Sequence, residues 1–319
     1  MRRRVVAAAI LAIAAGLLSP MIATPATARA ASVVRVDELS ATRSAIFVDS
    51  PAMGRTIQVQ VLHPPGGGSR PTYYLLDGLD PGATQSTWTN ATDAEPFFQG
   101  KDVNVVLPMG GQASYYTDWA ADDPRFGRYQ WETFLTQELP PLIDANFSGN
   151  GVNAIGGLSM GGIAAFVLAV RHPDMYRAVA GYSACPDLSI AEGAILFSIA
   201  NRGGNPLNMW GGPASPEWAA HDPAVLTEAL RGKTLFLSTG TGIPGPHELE
   251  IKPQLPENIF FGGPIEFGVD ACVTSFEQRL RSLNIPARVE HNAVGTHSWS
   301  YWQDTLHDSW PTIGPAIGA

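Results

Sequence analysis

The sequence predicts an α/β protein, a mostly parallel central sheet with helices on both faces. Three observations point there. Short apolar runs, several nearly continuous, read as strands covered on both sides. Helical stretches alternate with them through the second half of the chain. A glycine-flanked serine, Gly157-Leu158-Ser159-Met160-Gly161, stands between a predicted strand and a predicted helix, where a tight βα turn belongs.

The first thirty residues fall outside that fold. Arg2, Arg3 and Arg4 form a basic start, residues 5–18 are apolar, and Ala28-Arg29-Ala30 fits a small-x-small cleavage site. This is the pattern of a secretory signal peptide, and the apolar run is short for a membrane span. Residues 31–319 are then expected to form one domain, long enough for a single large core. No later stretch reads as apolar enough to cross a bilayer. Candidate strands are residues 33–36, 56–62, 72–76, 103–107, 152–156, 178–183, 234–238 and 287–290. Candidate helices are 131–147, 160–171, 270–283 and 301–310. The early strands have no helices between them, so an antiparallel start is expected. The helix after Ser159 is apolar nearly all round and should be buried, and Pro173 stops it.

Composition excludes several classes of function. The chain carries 20 Lys+Arg against 29 Asp+Glu, and the leader removes four arginines and no acid, so the remainder is more acidic still. An acidic chain without basic tracts argues against nucleic acid and against docking on anionic lipid. There is no P-loop and no dinucleotide fingerprint, and no cofactor is implied. Cys185 and Cys272 lack nearby histidines, which makes a poor zinc site. Export favours a disulfide between them.

The serine points to chemistry. A hydroxyl on a sharp strand-to-helix turn is held outward over the end of a sheet, beside the partly positive helix start. It is a weak nucleophile until a histidine takes its proton and an acid orients that histidine. His297, in a loop after the last predicted strand, fits best. His291 lies at a strand end, His307 in a helix, His221 and His247 before the late strand, and His172 at a helix end. The acid should follow residues 234–238, and Glu248, Glu250, Glu257, Glu266 and Asp270 all qualify. Glu266 sits in an apolar setting before a predicted helix and would need a partner. Asp270 could instead be that helix's N-cap. On these grounds Glu266 leads only slightly. Two backbone N–H groups should bind the oxyanion: Met160, after the nucleophile, and Leu79, after Gly78.

Five motifs then occur in order: Leu75-Leu76-Asp77-Gly78-Leu79; Gly110-Gly111-Gln112 with Asp118-Trp119; Gly157-Leu158-Ser159-Met160; Asn208-Met209-Trp210-Gly211; and Gly295-Thr296-His297-Ser298-Trp299. The chain resembles the secreted mycolyltransferases of mycobacteria and corynebacteria, the antigen 85 family, over about residues 33–302. The resemblance implies an α/β-hydrolase fold and a Ser159–Glu266–His297 triad, and it selects Glu266 by its spacing to Phe276. It implies an oxyanion hole at Leu79 and Met160, and a trehalose site bordered by Asp77, Leu79, Ser298 and Trp299. The implied reaction moves a mycolyl group between trehalose esters, or to trehalose or cell-wall arabinogalactan, through an acyl-serine. The implied location is secreted, at the cell envelope or beyond. The resemblance also implies a diacylglycerol acyltransferase side activity. The competing expectations are a secreted carboxylesterase of the esterase D type and a non-catalytic carbohydrate- or matrix-binding relative. One departure stands out: the mycobacterial members carry an arginine after the first motif, whereas this chain has Asp80.

Overall fold

The computed structural model describes residues 29–249 and 253–319. Residues 1–28 of the expected signal peptide lie outside the described residues, as does the candidate acid Glu250.

Nine strands form one sheet in the order β1-β2-β3-β5-β4-β6-β7-β8-β9. They are β1 (Ser32–Ser40), β2 (Arg43–Ser50), β3 (Arg55–Leu62), β4 (Arg70–Leu76), β5 (Asn104–Pro108), β6 (Gly149–Leu158), β7 (Tyr176–Tyr182), β8 (Thr234–Thr239) and β9 (Arg288–His291). β1, β2 and β3 pair antiparallel, and β3 pairs antiparallel with β5. From β5 through β4, β6, β7 and β8 to β9 every pairing is parallel. The expected antiparallel start and parallel body are both present. β2 was not expected. Its apolar stretch, Ala45-Ile46-Phe47-Val48, is short and has polar flanks, and only pairing between β1 and β3 makes it a strand.

Alternation along each strand divides the core in two. In β4, Tyr74 and Leu76 face one side, with the helix Met160–Arg171; Tyr73 and Leu75 face the other, with Trp88, Trp302 and Leu306. Met160 to Val170 are all buried, as an all-round apolar helix requires.

Among the longer helices, three depart from expectation. Leu188–Asn201 is additional. The C-terminal helix runs over Trp299–Ile317, through Pro311 and Pro315, rather than ending at residue 310. The helix expected to open near residue 270 begins at Gly263 and continues to Ser282. Glu266 is therefore in its first turn rather than before it, and Asp270 is interior rather than an N-cap. Pro264 is its second residue, and the five residues before the helix, Asn258–Gly262, are already π-helical, so the expected boundary falls inside a longer helical run. With the preceding turns it makes a run, Leu255–Ser282, that is long and apolar enough to cross a membrane by length and composition, which the sequence reading did not anticipate. It buries one face, Glu266, Cys272, Val273, Phe276 and Leu280, against the core, while Phe260, Phe261, Ile265 and Phe267 are exposed. Cys272 on this helix is bonded to Cys185, just beyond β7, with Cα atoms 5.4 Å apart across 87 residues of chain.

Candidate active site

The turn after β6 is strained in the way an exposed nucleophile requires. Ser159 has φ +49° and ψ −119°, a region that non-glycine residues seldom enter. Its N–H donates to Tyr182 O at 2.8 Å, and its C=O starts the helix by accepting from Ile163 N at 3.0 Å. The neighbouring glycines are spatial necessities. A Cβ on Gly157 would stand 2.6 Å from Gly161 C, and one on Gly161 would stand 2.4 Å from Asp77 O. Strand, helix and the loop after β4 thus converge with no room for a methyl group.

Glu266 is 1% exposed, so its carboxylate must be fully partnered. Oε1 accepts from Ser183 Oγ at 2.7 Å, Gly240 N at 2.7 Å and Thr239 Oγ1 at 3.1 Å. Oε2 is 2.7 Å from His297 Nδ1. This bond directs Nδ1–H to the acid and leaves Nε2 as the basic nitrogen. Among the described residues no side chain bonds Nε2 or Ser159 Oγ. The indole of Trp302 meets the imidazole edge-to-face at 4.9 Å, and its Nε1 donates to Ser183 Oγ at 2.9 Å. Ser159 follows β6, Ser183 follows β7, Thr239 ends β8 and His297 follows β9, so the C-terminal ends of four neighbouring parallel strands gather all of them.

The loop after β4 lies over the elbow: a Cβ on Gly78 would sit 2.6 Å from Leu158 Cδ1 and 4.0 Å from Ser159 Cβ. Asp77 organises it, accepting from Gly78 N at 3.0 Å and Thr87 N at 3.2 Å. Burial pushes the Asp77 carboxyl up to about 6, against the bonds from Thr87 and Gly78, which favour the ionised form. Leu79 O accepts from Ala113 N at 2.9 Å. Of the four expected sugar contacts, Leu79 and Trp299 remain partly exposed, whereas Asp77 and Ser298 are buried. Trp299 meets Trp88 and Trp302 edge-to-face at 5.5 and 5.2 Å. Asp80 accepts from Arg202 Nη2 at 2.5 Å and Gln112 Nε2 at 2.8 Å. Burial works against its charge, but those two bonds outweigh it and hold the Asp80 carboxyl below the usual range. The loop still has a guanidinium at its end, supplied from the distant Arg202.

The other candidates are engaged elsewhere. His291 pairs with Asp270, His307 with Asp93, His247 with Asp304 and His172 with Glu132. His221 stacks on Trp210 at 4.3 Å. Sequence reasoning missed Ser183, Thr239 and Trp302 as partners of the acid–histidine pair. The available signal was a serine directly after a buried strand, at a position where φ is +48°.

The Esterase family model matches residues 50–313, so the chain belongs to that class of α/β-hydrolase. It is 34% identical over 337 residues, spanning 100% of this chain and 94% of the relative, to the diacylglycerol acyltransferase/mycolyltransferase Ag85A of Mycobacterium leprae. It is 35% identical to Ag85B of Mycobacterium intracellulare, over 85% of this chain and 82% of that one. Within the class, the chain is a member of the antigen 85 diacylglycerol acyltransferase/mycolyltransferase family, and an acyltransferase. The crystal structure of Mycobacterium tuberculosis MPT51 (FbpC1) superimposes with a TM-score of 0.73 at 29% identity, covering 87% of this chain and 100% of that one. An S-formylglutathione hydrolase from Agrobacterium tumefaciens, at 17% identity and TM-score 0.65 over 89% and 99% of the two chains, shares the fold.

Proposed function

We propose that Ser159, His297 and Glu266 carry two acyl-transfer half-reactions on trehalose mycolates. Ser159 Oγ attacks the ester carbonyl while His297 Nε2 takes its proton. Glu266 orients the imidazole and stabilises its cation. The N–H groups of Leu79 and Met160 bind the oxyanion. Collapse expels trehalose, protonated by His297, and leaves a mycolyl-serine ester. A second sugar hydroxyl, of trehalose or arabinogalactan, gives its proton to His297 and attacks that ester, releasing Ser159. Transfer beats hydrolysis only if the acceptor is held at an effective molarity above that of water, and oriented groups reach ~10⁵ M. Residues 1–30 are removed on export, and residues 31–319 act at the cell envelope or beyond it.

The observation that carries this reading is the 2.7 Å Glu266–His297 bond at the C-terminal end of the sheet, where the strained Ser159 turn also lies. Intact-mass analysis after incubation with trehalose monomycolate tests it. A mycolyl adduct on wild type that disappears in Ser159→Ala is expected. Free acid released in large excess over trehalose dimycolate would point to the carboxylesterase instead.

A further inference from the structure

A second carboxylate is buried beside the histidine loop. Glu248, one of the acids that could have oriented His297, is 8% exposed and bonds other groups. Its Oε1 accepts from Thr296 Oγ1 at 2.8 Å. Its Oε2 accepts from Tyr301 Oη at 2.5 Å and Gly245 N at 2.9 Å. Thr296 immediately precedes His297, and Tyr301 lies in the first turn of the helix that follows it. The carboxylate therefore holds the histidine loop on both sides of the imidazole. The site is shaped for this contact: a Cβ on Gly245 would stand 2.6 Å from Tyr301 Oη. Burial, then the hydrogen bond to Glu248, raises the Tyr301 phenol, which keeps it a donor. The backbone of the two loops already runs together, with Gly242 N to Gly295 O at 2.8 Å and Gly295 N to Ile243 O at 2.7 Å. Those bonds end at Gly295; the side chain of Glu248 extends the grip to Thr296.

We propose that Glu248 is a positioning residue, which through Thr296 and Tyr301 fixes the loop carrying His297 and so sets the angle at which the imidazole meets Ser159. This rests on the triad reading above. A buried anion with three donors gives directed bonds, and these add to the one bond that ties His297 N–H to Gly262 O at 3.2 Å.

Single-turnover acylation by a p-nitrophenyl ester tests it on the full chain, because this readout needs no sugar acceptor. Thr296→Val keeps the volume and removes the hydroxyl; its acylation rate should fall about 10- to 100-fold with KM unchanged. Thr296→Ser should recover most of the rate. Glu248→Gln weakens the Thr296, Tyr301 and Gly245 bonds together and should be at least as slow as Thr296→Val, and the double variant should be no slower than the slower single one, since both act through the Thr296–Glu248 contact. Tyr301→Phe supplies a second break if Glu248→Gln does not fold. Thr296→Val within about twofold of wild type, or Thr296→Ser as slow as Thr296→Val, would overturn the proposal. Wild type that never acylates would overturn the nucleophile reading and this inference with it. Wild type that acylates alongside an equally fast Thr296→Val overturns this inference alone.

Discussion

Glu132 and Glu266 are both buried, and each bonds a histidine at 2.7 Å. The resemblance ends there. Glu132 also takes Arg171 Nε at 2.8 and 3.0 Å, so its charge is shared between a guanidinium and His172. Burial opposes that charge, but the bonds from His172 and Arg171 hold its carboxyl below the usual range. The other partners of Glu266 are two hydroxyls and a backbone N–H, all neutral, so the imidazole is its one ionisable partner. The ring nitrogens differ too. His172 is bound through Nε2, His297 through Nδ1. His172 caps the C-terminal end of the Met160–Arg171 helix, roughly 18 Å from the serine at its start by helix rise. A carboxylate–imidazole pair becomes a charge-stabilising device when no permanent cation competes for the acid and the basic nitrogen is left clear. Otherwise it is a clamp.

That contrast can be broken. Ser159→Ala should lower acyl transfer by ~10⁴-fold or more, measured as trehalose dimycolate formed. Glu266→Gln keeps the shape but not the charge, and should cost ~10³- to 10⁴-fold in kcat with the fold intact by circular dichroism. Glu132→Gln should leave kcat near wild type while destabilising the protein by about 2 kcal/mol in chemical denaturation, because Arg171 and His172 lose their anion but are about a third exposed. A large loss of kcat in Glu132→Gln would end the distinction between clamp and catalyst.

Two smaller effects sharpen it. Replacing Cys185 and Cys272 by serine should cost about 2–4 kcal/mol in the same assay, since the bridge ties the Glu266 helix to the end of β7. Stability against pH should separate the buried acids by sign. Asp77, raised to about 6, contributes stability that is full below its unfolded value and is lost as pH rises through 6. Glu132, held low, contributes stability above its unfolded value and loses it as pH falls through the folded one. Asp77→Asn should flatten the pH 4–6 slope, worth about 1.4 kcal/mol per unit at most, and Glu132→Gln should flatten the acid side.

Much of this was legible in residues. The Gly157–Gly161 turn announced itself because only glycine tolerates the contacts that the structure puts at 2.4 to 2.6 Å. His297 was recoverable from chain order. The acid was harder, since five carboxylates follow the same strand and only the apolar surroundings of Glu266 set it slightly ahead before the family resemblance selected it. The helix boundary misled as well: a proline after two glycines, Gly262-Gly263-Pro264, looks like a loop, yet it lies in the first turn of the helix that aims Glu266. Ser183, Trp302 and Glu248 act on the site from 83, 119 and 48 residues away from their respective partners, beyond any local pattern.

By itself the sequence determined the local events: which strand meets which helix at the serine, which helix is buried, and which histidine comes late enough to return. Local sterics and hydrophobic spacing are written in neighbouring residues. The tertiary structure alone decided which donors hold Glu266 and which glutamate grips the histidine loop. That choice depends on the donors gathered at the ends of separate strands, and the chain brings them together only when the sheet is complete.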